Sequence, residues 1–292
     1  MDIRTLQRRR ANSLAVREIL SSMRALSAVQ LRRGQAALRT VAAYETSVAR
    51  GLAVAGFAPI RQPRPTHAML VVIGSDQGMC GSLTRHLVAR AGERLGRLRA
   101  EVVRVVAVGR RTRGLLEELG YGVDFVHDSP TSIHGVDALV GALAEHLVRE
   151  LPGGECCRVE VVYNRHGAAQ DDERASALRV YPPQPTPQDD ARPLASPHSY
   201  EPLPAVVDRL LLEWSYAAIY RCALEALTAE HDARLRTTDA AVHAVDDKLE
   251  ALGVELNRLR QEQITNELLE LAAAASLAGG GARGPSARAE DV

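Results

Sequence analysis

A chain of 292 residues has room for one or two ordinary domains. Its formal charge is zero, with 36 basic residues against 36 acidic, which excludes a globally basic nucleic-acid binder and a polyanionic tail. Hydrophobic residues make up 46% but aromatics only 3%, with 45 alanines, so a large ring-based core is excluded and long helices packed through small seams are favoured.

From Asp2 to about Phe57 there is no proline, and Val16, Ile19, Met23, Leu26, Leu31, Leu38, Val41, Val48 and Leu52 recur at helical spacing. One long helix over 1–57 is predicted, ended by Pro59, Pro63 and Pro65. Residues 67–182 alternate short apolar runs with amphipathic stretches. Strands are predicted at Met69–Ile73, Val102–Val108, Val123–Val126, Val159–Tyr163 and Leu178–Tyr181, and helices at Leu83–Leu98, Arg110–Leu119 and Val136–Leu151. That order predicts an α/β domain of Rossmann-like kind, its mostly parallel sheet covered on both faces.

Residues 183–204 are a proline-rich linker. A second long helix is predicted over 205–278, where Val242, Val245, Leu249, Leu252, Leu256 and Leu259 follow the 3-4 spacing of a coiled-coil seam. The seam breaks at Gln263 and resumes out of phase at Ile264, Leu268 and Leu271, as a stutter would. The tail, 279–292, is Gly, Ala and Arg with little to pack, and is expected to be disordered. Neither long helix can bury its stripe alone, so the two should pair, antiparallel, as a two-helix coiled coil. The second is longer by about 20 residues, or ~30 Å, and something else must cover that protrusion.

Candidate chemistry is sparse. Gly74–Ser82 follows a strand and opens a helix, where α/β proteins place ligands. It is neither a G-x-G-x-x-G fingerprint nor a Walker A loop, and it lacks the phosphate-loop Lys. Cys80 near a helix start could be acidified into a nucleophile, but no His lies in the loop, and a structural turn or contact loop outweighs an active site. The rival readings are an enzyme using Cys80 or Ser82, with the helices as a dimerisation arm, and a coiled-coil scaffold. The four cysteines have no disulfide-framework or zinc spacing, Cys156-Cys157 reading as two unpaired thiols. The histidines are scattered, so no metal or cofactor is expected. Arg8, Arg9 and Arg10, or Arg32 and Arg33, read as charges on the outside of a helix before they read as a phosphate site. No apolar run is long enough to span a bilayer, and nothing resembles a signal peptide. Arg258, Arg260, Gln261, Thr265, Asn266, Glu267 and Glu270 form a polar band past the seam, a candidate binding surface on a protruding helix.

Asn257 to Glu270 resembles the signature Asn-Arg/Lys-x-Arg-Gln-x-x-Ile-Thr-x-Glu-Leu-x-Glu of the gamma subunit of F-type ATP synthases. Ile19-Leu20-Ser21-Ser22-Met23-Arg24 stands where that family has Ile-Thr-Lys-Ala-Met-Lys/Glu, with Leu31-Arg32-Arg33 following. Ser75 to Gly81, Tyr200-Glu201-Pro202 and Glu230-His231-x-Ala233-Arg234-Leu235 are similar to further family motifs, so the resemblance covers about 2–278. Gln77 replaces a basic residue, Ser21 a Lys, and Ala241–Val245 differs from the usual Ala-Thr-Asp-Asn-Ala, departures that suggest a divergent branch.

The resemblance implies a non-catalytic rotor shaft. Its helix pair would sit inside a ring of alternating alpha and beta subunits, and its central domain would grip epsilon and the c-ring. Catalysis would belong to beta, nucleic acid would play no part, and the membrane would be reached through the c-ring only, at the cytoplasmic face of a bacterial inner membrane. The implied contact residues are Arg260 and Gln261 against a beta loop, with Thr265 and Glu267 on a neighbouring face and Arg258 and Glu270 beside them. Met23 and Arg24 would face the same region, and Asp76, Gly78 and Cys80 the lower face of a beta subunit.

Overall fold

The computed structural model describes residues 2–57, 65–98, 100–150, 157–167, 174–183 and 200–280, apart from the side chains of 148, 150 and 276–280. Cys156, most of the proline-rich stretch and most of the tail lie outside the described residues. The elements in chain order are α1 (Ile3–Val54), β1 (His67–Ile73), α2 (Leu83–Arg97), β2 (Val102–Val108), α3 (Arg110–Glu118), β3 (Phe125–His127), α4 (Ile133–Glu150), β4 (Cys157–Asn164), β5 (Ala175–Tyr181) and α5 (Leu203–Gly280). The chain divides into two bodies, one of residues 1–22 with 239–292 and one of residues 23–238.

In the second body the sheet order is β3-β2-β1-β4-β5. β1 pairs in parallel with β2 and β4, β2 with β3, and only β5 runs antiparallel. The side chains of β1 alternate between two cores, as a two-sided buried strand requires. Met69, Val71 and Ile73 meet Val136, Val140 and Leu143 of α4 and Cys222, Ala223 and Leu227 of α5. Ala68, Leu70 and Val72 meet Leu87, Val88 and Ala91 of α2 and Leu116 of α3. The doubly covered, Rossmann-like arrangement is therefore the observed one.

Two boundaries shift for visible reasons. β3 begins at Phe125 and not at Val123, because Asp124 is spent at its start. Its carboxylate accepts the Val105 N–H at 2.7 Å and its own N–H donates to the Val105 carbonyl. β5 begins at Ala175 and not at Leu178, since pairing of Ala175, Ser176 and Ala177 with β4 supplies what apolar periodicity does not.

Within the second body, α1 and α5 run antiparallel. Gly34 lies so close to Thr228 that a Cβ there would collide with the threonine hydroxyl. Tyr44 donates to Glu213 at 2.8 Å, Arg221 Nε meets Glu45 at 2.7 Å, and Val48 and Leu52 pack on Trp214 and Ala218. α1 stops in a Schellman motif: Phe57 N–H donates to Leu52 O and Gly56 N–H to Ala53 O, with Gly56 at φ +74°. Within the first body, Leu6 packs on Leu252 and Leu256, with Ile3 and Leu259 against the same cluster, and Arg17 pairs with Asp246. The order is again antiparallel, and along the seam read from Val242 to Leu259, Val242, Leu252 and Leu256 are buried while Val245, Leu249 and Leu259 are half-buried.

Candidate functional site

The loop after β1 is built from backbone demands outward. Ser75 N–H donates to the Thr112 hydroxyl at 3.1 Å, and the Ser75 hydroxyl donates to the Gln77 carbonyl at 2.7 Å while accepting the Gln77 N–H. The Asp76 carboxylate accepts the N–H of Arg110, the first residue of α3, at 2.5 Å and that of Ser129 at 2.8 Å. Gly109 makes this approach possible: it holds φ +97°, and a Cβ there would sit 2.8 Å from the Ser75 backbone. A helix N-terminus at the carboxyl end of a parallel sheet is where such folds receive an anion. Here the chain supplies the anion itself, as Asp76.

Cys80 is 6% exposed. Its thiol lies 3.4 Å from the Gly78 carbonyl and from Arg234 Nη2 of α5. Arg234 also pairs with Glu230, one turn earlier on α5. Burial, and next the Glu230 carboxylate, push the thiol upward from its ordinary value. The acidified nucleophile considered from the sequence is therefore corrected: being near a helix start does not offset burial beside a carboxylate. With Asp76 in the anion position as well, the enzymatic reading through Cys80 loses both its site and its nucleophile.

Around Cys80, Glu230, His231 and Arg234 are each less than 10% exposed. Burial raises the Glu230 carboxyl, and burial followed by the Arg234 charge drives His231 down to about 4. The sequence motif containing these residues was recognisable, but not their work, which is to tie the 74–82 loop to α5 across 154 positions of sequence. A hint exists: three charged residues and a histidine fall within Glu230–Arg234, on a stretch of α5 rich in Ala, Leu and Thr. Outward the loop offers Gln77, Gly81 and Ser82, all exposed, with Gly78 and Met79 half-buried. Met79 holds φ +62°, a conformation costing a non-glycine residue on the order of 1 kcal/mol.

Met23 and Arg24 sit half-buried on α1 in the body that carries the sheet. The other predicted residues belong to the body of residues 1–22 and 239–292. There α1 starts at Ile3, and its cover of α5 reaches no farther than Leu259. Every described residue from Arg260 to Ala275 is exposed. Some polar groups are met along the helix: Arg258 with Glu262 at 3.4 Å, Gln263 with Glu267 at 2.9 Å, and the Thr265 hydroxyl with the Gln261 carbonyl at 2.9 Å. Ile264, Leu268, Leu269 and Leu271 are more than half exposed, so the out-of-phase continuation of the seam packs on nothing among the described residues. A run of large aliphatics at such exposure marks an interaction surface. Among the described residues no cluster of three metal-ligating side chains occurs, and no helix is long and apolar enough to cross a membrane.

A family model described as ATP synthase matches residues 2–277. The ATP synthase gamma chain of Pelotomaculum thermopropionicum is 27% identical over 286 residues, covering 94% of this chain and 98% of that one. That of Moorella thermoacetica is 28% identical over 293 residues, with coverage of 94% and 98%. Among solved structures, a chain of the Euglena gracilis mitochondrial ATP synthase, OSCP/F1/c-ring, in rotational state 3 is similar in fold. It has a TM-score of 0.60 at 15% identity and covers 99% of each chain.

Proposed function

We infer the function from one premise: the chain belongs to the ATP synthase family. It is the central rotor shaft of an F-type ATP synthase, a non-catalytic subunit that couples rotation of the c-ring to conformational change at catalytic sites on the beta subunits. The observation that carries this reading is the segment of α5 past Leu259. It is helical to Gly280, uncovered from Arg260 to Ala275, and studded with exposed Ile264, Leu268 and Leu271. A helix with no cover among the described residues needs one from outside, and an alpha–beta ring would supply it. Torque then becomes a population shift: each orientation of the shaft makes different contacts with each beta subunit and so favours a different state of it.

The finer assignments rest on the same footing. Arg260 and Gln261 reach a beta-subunit loop, with Thr265, Glu267, Arg258 and Glu270 around them. Met23 and Arg24 contribute from α1. The 74–82 loop, through Asp76, Gly78 and Cys80, meets the lower face of a beta subunit, and epsilon and the c-ring bind the sheet-bearing body. Asp76 and Cys80 would act by shaping the loop, since their polar atoms are already engaged within the chain. The complex works at the cytoplasmic face of a bacterial inner membrane, which this subunit reaches through the c-ring alone.

The test is an Arg260→Ala/Gln261→Ala variant in the assembled complex. ATP-driven ion pumping should fall by roughly tenfold, the effect of losing ~1.4 kcal/mol of contact, while subunit composition is unchanged. Wild-type pumping would overturn the assignment.

A further inference from the structure

At the carboxyl end of β1, Asp76 already holds two backbone N–H groups and Cys80 faces Arg234. One concavity at the same carboxyl end stays open. It lies between the first half of α2 and the start of β5, encloses about 680 Å³, and is lined by His86, Ala89, Arg90, Glu93, Arg165, Ala175 and Ser176. Its two small residues leave room, and its polar residues converge from three elements: α2, the end of β4 and β5.

The charge there is not balanced among the described residues. Arg90 meets Glu93 at 2.7 Å, but its Nε is buried with no acceptor. Arg165 is exposed, and no carboxylate among the described residues pairs with it; its backbone N–H donates to the Arg174 carbonyl. Farther along the same seam Arg94 meets the fully buried Glu160 at 2.5 Å. Arg179 Nε is buried without an acceptor, and burial, then the Arg158 charge, lower that guanidinium from its ordinary value. In the groove itself two arginines, 90 and 165, face one glutamate, 93.

We propose that this groove binds a phosphate group, held by the Arg90 and Arg165 guanidinia with the Ser176 hydroxyl as a further donor. A tetrahedral oxyanion offers enough acceptors for two guanidinium forks and a hydroxyl together, where a planar carboxylate offers two oxygens. The location obeys the rule that open α/β sheets take ligands at their carboxyl ends near a topological switch. The proposal is independent of the shaft reading, and its failure would leave that reading standing.

The experiment titrates the purified full-length chain with inorganic phosphate, and separately with ADP, by calorimetry at low and constant ionic strength. Saturable one-site binding is expected. Arg90→Gln/Arg165→Gln should weaken it at least about tenfold, whereas Arg113→Gln, an exposed arginine paired with Glu117 on α3, should not. Ser176→Ala supplies a milder variant, expected to weaken binding a few-fold, should the double one misfold. Saturation by phosphate alone assigns a free ion, and tighter binding of ADP assigns the phosphate of a nucleotide. Equal weakening by Arg113→Gln, no saturation by either ligand, or unchanged binding in the double variant overturns the proposal. So does binding that appears only in Asp171→Asn/Asp172→Asn/Glu173→Gln, which would give the groove to the chain's own acidic segment.

Discussion

The loop after β1 and the far part of α5 carry equally motif-like polar residues, and the structure uses them in opposite ways. In the loop, Asp76 closes two backbone N–H groups and Cys80 faces an arginine held by a glutamate. On α5 from Arg260 to Ala275, polar and aliphatic side chains alike stand in the open. A motif can therefore mark a shape that the chain builds for itself or a surface left for another molecule. Burial distinguishes the two where residue type cannot.

The contrast breaks most readily at Arg234. Replacing it with Ala strands the Glu230 carboxylate in a buried site, and breaking such a pair costs about 3–5 kcal/mol. Denaturant unfolding of the chain should show that loss, and Glu230→Leu added to Arg234→Met should recover most of it. A loss under ~1 kcal/mol for Arg234→Ala would mean that the cluster does not hold the loop.

A smaller effect comes from pH. His231 titrates near 4 when folded against an ordinary 6.5, so the unfolded chain takes up a proton between those values and the folded one does not. Stability from this ring is complete above pH 6.5 and is lost as pH falls toward 4, by roughly 3 kcal/mol at most. Glu230, whose carboxyl is raised, takes up a proton earlier in the folded state and so opposes part of that loss. Thermal melts across this range should steepen in wild type and flatten in His231→Gln; identical profiles would reject the assignment.

The smallest effect is predicted for α5. Ile264→Ala and Leu268→Ala should each change the stability of the isolated chain by less than about 0.5 kcal/mol, because neither side chain is packed. A loss above 2 kcal/mol would show that the segment is covered by its own chain, and would erase the comparison.

Much of this was legible in local pattern. The Val242–Leu259 seam, the β2 span and the long proline-free helices follow from spacing and breaker residues, which are properties of neighbouring positions. The β3 boundary was not, because it depends on Asp124 meeting Val105 across the sheet edge. Nor was the bond from Arg234 to Cys80, since periodicity records which face a residue takes and not which distant residue it meets. On α5 the same limit works in reverse: Ile264, Leu268 and Leu271 read as seam, yet among the described residues nothing packs on them.

The alanines at 272–275, exposed near the end of α5, have a thermodynamic consequence of their own. An alanine has no χ rotamers to freeze on contact or release on parting. A neighbour passing over them meets nearly the same conformational free energy at every angle, with no preferred side-chain pose to unlock. Lengthening them to Leu or Met would add discrete wells around the axis, felt as resistance to turning even if static affinity rose.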